Sequence, residues 1–371
     1  MKVALLSPYS LGASSCKRLY YLSRHLKVHR KLFLLAEDKY GMTKREHWFV
    51  YTARKRNDRK YPAYVLKVLK LLIRERPDII HYSKPHHMTL IPALLYKKLF
   101  PCKLVFDCDD WEPLVQKELA ADRRKLRVVE HLTEMAIETA DAIVIPNTKM
   151  RREIPEKYRG RIYLIPNGVD TEKFRPMRSH EHDAFNVTYM GTIHKIDTIT
   201  PLVDAIALAA KKIPELVCTV VGGGKGEHEL KRMILEKDLP QQFKLLGMQP
   251  HDKIPRLLAD ADVLILPYSK LESLEYASNL KFFEYMALEK PIVAGAVGDI
   301  PLILEQGKAG YLARPNDPHA LAEKLKEVYD HPIEAMRKAE KARALAVAYY
   351  DWDVLSKKLQ AVYDDLLYID I

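Results

Sequence analysis

Cysteine is scarce in this chain. The four residues, Cys16, Cys102, Cys108 and Cys218, are scattered, with no CxxC pair and no histidine at metal-ligand spacing. That excludes a disulfide scaffold or a zinc ribbon and predicts reduced, partly buried thiols in a cytoplasmic protein. Long apolar runs are missing as well: none approaches the roughly 20 residues of a membrane span. The opening MKVALLSPYS has too short an apolar stretch for a signal peptide and reads as a first strand. There is no GxxxxGK[ST] and no well-placed GxGxxG, so neither a P-loop nor a nicotinamide fingerprint is supported. No internal repeat or low-complexity tract occurs. Acidic residues, finally, are rare in the first 103 positions, with 6 Asp and Glu against 23 Lys and Arg.

What is present fits a globular protein large enough for two domains: 371 residues, 48% hydrophobic and 29% charged. The surplus of +17 in residues 1–103 exceeds the net charge of +11, so the remainder carries −6. This asymmetry points to a polyanionic partner for the first part: an anionic membrane, an acidic glycan, a phosphorylated lipid or nucleic acid.

The chain alternates strands and helices. Strands are expected at Val3–Leu6, Leu32–Leu35, Asp78–His81, Lys103–Asp107 and Ala142–Ile145, and helices after Ser15 (carrying Leu19, Leu22 and Leu26), over 62–76, 90–100 and roughly 116–139. Uninterrupted apolar strands in βαβα order predict a doubly wound parallel sheet. Turn chemistry in RGRIYLIPNGVDTEKFRP (159–176) marks an interdomain connection. The alternation then restarts, with strands near 187, 217, 243, 263, 292 and 311 and helices at about 199–212, 227–237, 252–259, 279–288, 300–306 and 318–329. The closing 333–371 is helical. The fold class is therefore α/β, with domains at 1–165 and 170–345.

The organising stretch is SNLKFFEYMALEKPIVAG, 278–295. Leu280, Phe283, Met286 and Ala287 recur at helical spacing, and Ser278, Lys281 and Glu284 form a polar row. Ser278 or Asn279 suits the N-cap, and Ile292-Val293-Ala294 a short strand. A helix N-terminus with a cation and a carboxylate in line suits a nucleotide: the N–H groups and Lys281 attract phosphate, and Glu284 can accept from ribose hydroxyls. The same residues would also make an ordinary surface helix with a Lys–Glu pair. Two further loops, Gly191–Lys195 and Gly222–Gly226, follow strands and place lysines beside glycines.

Taken in order, PNGVDTEKFRP, VVGGGKGEHELKRM, FKLLGMQPHDKIPRLLADADVLILPY, FFEYMALEKPIVA and ALAEKLKEV resemble family 4 glycosyltransferases. The resemblance covers most of 160–330 and is looser over the first half. It implies the GT-B fold, two Rossmann-like domains facing each other across a cleft, with a last helix, about 350–371, that packs back on the first domain. The first would bind a glycan or lipid-linked acceptor and the second a nucleotide-diphosphate sugar (UDP or GDP), with transfer at retained configuration. No metal or other cofactor is implied. Such enzymes would serve cell-envelope or surface polysaccharide and glycolipid synthesis.

The resemblance implies that Glu284 grips the ribose and Lys281 part of the diphosphate, in the helix start Ser278, Asn279 and Leu280. Position 276 is Tyr where a partner Glu is common, and SNLKFFEY is similar to a subset reading S-P-L-K-x-F-E-Y. Gly12, Gly191, Thr192, Lys195, Gly223 and Met248 complete the donor set, Met248 through its backbone. Asp109 and Asp110 stand where relatives have a sugar-facing His, so with Glu284 they are the catalytic candidates; their alternative role is to cap the next helix. His194 is a weaker candidate, and His81, His86 and His87 are candidates for the acceptor side.

The basic segment, Arg54-Lys55-Arg56 and Arg59-Lys60 with Trp48, Phe49 and Tyr51, together with Lys67, Lys70, Arg74, Arg24, Lys27, Arg30 and Lys31, suggests a peripheral protein on the inner membrane face. Competing readings are a non-catalytic binder of polyanions or nucleic acid on a degenerate core, which Leu302, where Glu is common, favours, and a sugar-nucleotide epimerase.

Overall fold

The computed structural model describes residues 1–8, 13–34, 61–180, 183–193, 199–269 and 271–368. Gly12, His194, Lys195 and the basic segment 41–60 lie outside them. The chain divides into two compact units. The first comprises Met1–Asn167, Tyr276–Ser278 and Trp352–Ile371, the second Gly168–Glu275 and Asn279–Asp351.

In unit 1 the strands are β1 (Lys2–Ser7), β2 (His29–Leu34), β3 (Ile79–Ser83), β4 (Lys103–Asp107), β5 (Ala142–Ile145) and β6 (Ile162–Leu164). They form one parallel sheet in the order β2-β1-β3-β4-β5-β6. Its helices are α1 (Ser14–Arg24), α2 (Tyr61–Glu75), α3 (His87–Leu99), α4 (Glu112–Glu118) and α5 (Arg123–Thr139). Every residue of β3 and β5 is buried, as expected where helices cover both faces of a parallel sheet.

Unit 2 repeats the plan with β7 (Phe185–Met190), β8 (Leu216–Val221), β9 (Phe243–Gly247), β10 (Val263–Leu266), β11 (Ile292–Gly295) and β12 (Tyr311–Ala313), in the order β12-β11-β10-β7-β8-β9. Its helices are α6 (Thr200–Ala209), α7 (Glu227–Glu236), α8 (Ile254–Ala259), α9 (Leu280–Ala287), α10 (Ile300–Ile303), α11 (Pro318–Asp330) and α12 (Pro332–Leu345). The strand order reverses direction once in each sheet, beside β1 in the first and β7 in the second. The carboxyl ends of strands at such points are where α/β sheets take ligands.

The last helix, α13 (Trp352–Tyr368), belongs to unit 1 and packs on α1. Trp352 stacks on Tyr21 at 5.6 Å, and the Ser356 hydroxyl donates to the Leu22 carbonyl at 2.7 Å. Within unit 2 the chain between α12 and α13 is tied down by the Val169 N–H, which donates to the Tyr350 carbonyl at 2.9 Å.

Two helices differ from expectation. The single helix over 116–139 is really α4 and α5. Ala120 takes φ +52°, and Asp122 accepts from the Lys125 N–H at 2.8 Å to start the second. Apolar residues keep helical spacing through the break, so periodicity alone joins the two. The helix over 300–306 stops at Ile303, because Glu305 and Gln306 adopt φ +48° and +56°. Among the described residues no helix is long and apolar enough to cross a membrane, and no disulfide links the four cysteines.

Candidate functional site

In unit 2 the site is built around α9. Phe282, Phe283, Tyr285, Met286 and Ala287 are buried, while Leu280, expected in the core, is only half-buried. Lys281 and Glu284 stay half-buried too, so the helix is enclosed except along the polar row read from the sequence. Asn279 is the N-cap, but its side chain makes no capping hydrogen bond.

Two tyrosines hold Lys281. Its Nζ lies 4.8 Å from the Tyr189 ring centroid and 5.7 Å from that of Tyr268, and it donates to the Tyr189 hydroxyl at 3.3 Å. The ammonium also abuts Gly191, where a Cβ would sit 2.8 Å from it. Glu284 is held separately. The His251 Nε2 stands 3.3 Å from its Oε1, and Lys173 Nζ lies 2.6 Å from Nδ1 of the same ring. Lys173 can only donate, so Nδ1 accepts and the Nε2–H faces the carboxylate. None of His251, Lys173, Tyr189 or Tyr268 is singled out by the sequence reading. His251, Lys173 and Tyr268 belong to stretches matched for their pattern and Tyr189 to the strand before Gly191, and nothing in sequence spacing brings position 251 to position 284.

The Gly222–Gly226 loop packs on the 191–193 backbone. Gly222 and Gly224 have φ +135° and +152°, and a Cβ at either would meet the carbonyl oxygen of Gly191 or Ile193 at 2.0 or 2.4 Å. Ile193 donates to Gly223 O at 3.0 Å. Close loop-to-loop approach therefore accounts for these glycines. Gly223 itself lies beside Met248, whose side chain is exposed, as is Thr192. Ser278 is engaged within unit 1: its Oγ accepts from the Asn167 N–H at 3.1 Å, and its carbonyl accepts from the Asn167 amide.

Unit 1 gathers charge at the carboxyl ends of β3 and β4. Arg18, fully buried on α1, donates from Nε to both Asp107 oxygens at 3.0 Å, from Nη2 to Ile165 O at 2.7 Å, and from Nη1 to Pro166 O and Asn167 Oδ1 at 2.9 and 3.1 Å. Buried Lys84 is paired with Asp110 and, at 2.9 Å, with Glu112. Burial alone would lower the Lys84 pKa, but the surrounding carboxylates hold it well above the ordinary value. Neither Asp109 nor Asp110 caps α4, whose N-cap is Trp111 without a side-chain bond. Burial, with the Asp110 charge beside it, pushes the Asp109 carboxyl up to about 7. Arg18 and Lys84 are further residues that sequence pattern does not reveal.

The expected acceptor-side histidines divide. His81 is fully buried, and its Nδ1 sits 2.6 Å from the Tyr363 hydroxyl of α13. Burial lowers its pKa to about 4, so it is neutral near pH 7. His86 caps α3, its Nδ1 accepting from the Met88 N–H at 3.2 Å, and its ring stacks on that of His87 at 4.2 Å. A cavity of about 490 Å³ opens beside Trp111, Glu134, Glu153 and Tyr158, but none of Asp107–Asp110 lines it. Among the described residues no group of three acidic, histidine or cysteine side chains is placed to hold a metal ion.

The sequence matches the family model described as glycosyl transferases group 1 over residues 170–345, and that of glycosyltransferase family 4 over 18–173. The chain belongs to these glycosyltransferases. Among its curated relatives, D-inositol 3-phosphate glycosyltransferase of Streptomyces avermitilis is 23% identical over 61% of the chain and 52% of its own length. The chain thus spans about half the length of the curated relatives it matches. Among solved structures, sucrose-phosphate synthase of Thermosynechococcus elongatus superposes with a TM-score of 0.84 at 18% identity, over 100% of both chains. HepE of Anabaena, solved with UDP-glucose, gives 0.77 at 18% identity over 99% of this chain and 100% of its own. These neighbours share its fold, which is GT-B.

Proposed function

We propose that the protein transfers a sugar from a nucleotide-diphosphate donor to a hydroxyl of a glycan or lipid-linked acceptor. The observation that carries this reading is the single polar row of α9. Lys281 is held over two tyrosines beside Gly191, and Glu284 is held by His251, on an otherwise buried helix. Glu284 accepts from the ribose hydroxyls. Lys281 and the free N–H groups of the helix start stabilise the charge that develops as the diphosphate leaves, with Lys195 and the glycine loops in support. No step is assigned to a metal. The configuration is retained. On unit 1, Asp109 or Asp110 is the sugar-facing carboxylate. That the HepE structure holds UDP-glucose makes UDP-sugars the first donors to try.

The acceptor is membrane-borne in this reading, and the protein docks on the inner face. Lys67, Lys70 and Arg74 are exposed along α2, and each contributes on the order of 1 kcal/mol near an anionic surface. Co-sedimentation with anionic but not neutral vesicles tests the docking.

Transfer is tested by screening UDP-, GDP- and ADP-sugars by thermal shift and assaying release of the nucleotide. Turnover that Glu284→Ala abolishes is the expected result. Nucleic-acid binding with a steep salt dependence and no nucleotide binding would instead favour the polyanion binder. Conversion of one sugar nucleotide into its epimer would establish the isomerase.

A further inference from the structure

We propose, independently of the transfer reading, that the outer face of α12 docks a second copy of this chain. The two helices pair antiparallel about a two-fold axis.

The inner face of α12 is occupied within unit 2. Ala335, Ala339 and Ala342 are buried, with Ala346 one turn on, and such small side chains let the helix lie close to its neighbours. Arg343 fastens it further, donating from Nη1 to the carbonyls of Phe174 and Ala287 at 2.9 Å and of Thr171 at 3.2 Å. On the flanks, Lys338 is paired with Glu334 at 3.6 Å and Lys341 with Glu305 at 2.5 Å.

The outer face is different. Ile333, Arg337, Glu340 and Ala344, at intervals of four, three and four, form one exposed row opposite the buried alanines. Ile333 is 72% exposed, and Met336 and Val347 beside the row are 41% and 43% exposed. Among the described residues Arg337 and Glu340 take no ion pair, although they stand three apart on one helix. A cation that precedes its anion is the poorer order for pairing within a helix.

Charge, spacing and shape together select the occupant. The row carries one cation and one anion, so net charge draws neither a polyanion nor a basic partner to it. Its intervals are symmetric about the point midway between positions 338 and 339. Turned end for end, the row therefore meets itself. Arg337 of each copy stands opposite Glu340 of the other, and Ile333 opposite the small Ala344, beside Val347. The two Met336 side chains fall on one edge of the contact and cover the ion pairs from that side. A surface that is its own complement under a two-fold rotation is what an isologous dimer requires. Helix axes approach to about 8–10 Å where the facing residues are small enough, and Ala344 meets that condition. One helix face from each copy is a small contact, below about 1,200 Å² in total, and gives a reversible assembly. The expected dissociation constant is roughly 10 µM to 1 mM.

The test is sedimentation velocity of the full chain from about 5 µM to about 2 mM. A monomer–dimer equilibrium within that range is expected. Arg337→Glu and Glu340→Arg each set like charges against one another twice across the contact, so each should weaken self-association at least about tenfold. The two variants mixed in equal amounts should form a mixed dimer. Both substitutions in one chain should restore the original association, which a merely structural effect of either would not do. All the positions changed are exposed, so the melting temperature should stay near that of the unaltered chain. Should a charge variant not fold, Ile333→Ser, which leaves the charge unchanged, should weaken association at least about tenfold. A chain still monomeric at about 2 mM overturns the proposal and points to a partner of another kind. A dimer that none of these substitutions weakens overturns it too, and lies on another surface.

Discussion

The two units share one topology and solve the same electrostatic problem in opposite ways. Each is a six-stranded parallel sheet with one reversal of strand order and polar groups at the strand ends. Unit 1 sets its charges against each other, fully buried Arg18 with Asp107 and buried Lys84 with Glu112 and the partly exposed Asp110. Unit 2 keeps Lys281 and Glu284 half-buried and steadies them with two tyrosine rings and a histidine. Buried pairs are expensive to break but titrate little. Half-exposed groups cost less to alter and remain available to a ligand. The contrast predicts that substitutions in unit 1 report on folding and those in unit 2 on binding, with Asp109 as the exception.

Arg18→Met should have the largest effect, because it leaves Asp107 and three further acceptors buried without a donor. We expect a loss of about 3–5 kcal/mol in unfolding free energy, measured by urea titration, and a loss near zero would break the comparison. Glu284→Ala comes next. Loss of hydrogen bonds to a charged acceptor should weaken nucleotide binding by about 10–100-fold, with the melting temperature of the apoprotein little changed, as calorimetry would check. Asp109→Asn should do the reverse of an ordinary core substitution. The folded-state pKa is raised above the unfolded one, so the native carboxyl binds its proton more tightly and stability falls as pH rises from about 4 through about 7. The amide escapes that penalty, so Tm should rise by about 2–6 °C near pH 8 and change little near pH 4. The smallest effect belongs to His251→Ala, which frees Glu284 without removing it. A loss of about 1 kcal/mol, or roughly fivefold in nucleotide affinity, is expected. An effect as large as that of Glu284→Ala would show His251 to touch the ligand itself.

The polar row of α9 was legible because Lys281 and Glu284 are three apart on one helix, and local spacing determines which face they share. The parallel sheets were legible for a similar reason, since strands such as AIVI at 142–145 and VLIL at 263–266 read as buried on both faces. The split between α4 and α5 was not, because the apolar period continues across Asp122 and only the backbone at Ala120 reveals the turn. His251 and Lys173 lie 33 and 111 residues from Glu284, and Arg18 lies 89 residues from Asp107. No pattern of residues along a chain encodes which distant loops meet.

The glycines were read for phosphate and are explained by packing. Gly222 and Gly224 admit the 191–193 backbone, a demand set by a second loop and invisible in the first. The same limit applied to Asp109 and Asp110. The pair was identifiable as two carboxylates after a strand, but the pairing of Asp110 with Lys84, from the neighbouring strand end, is set only by the fold.

Sequence by itself determined the order of the elements, the division into two α/β units and the membership in a glycosyltransferase family, because periodicity and local motif chemistry act over a few residues at a time. Tertiary structure alone decided which carboxylates Arg18 and Lys84 pair with, and which side chains steady Lys281 and Glu284. Charge and hydrogen-bonding geometry depend on distances of a few ångströms, and only the folded chain sets those between residues far apart in sequence.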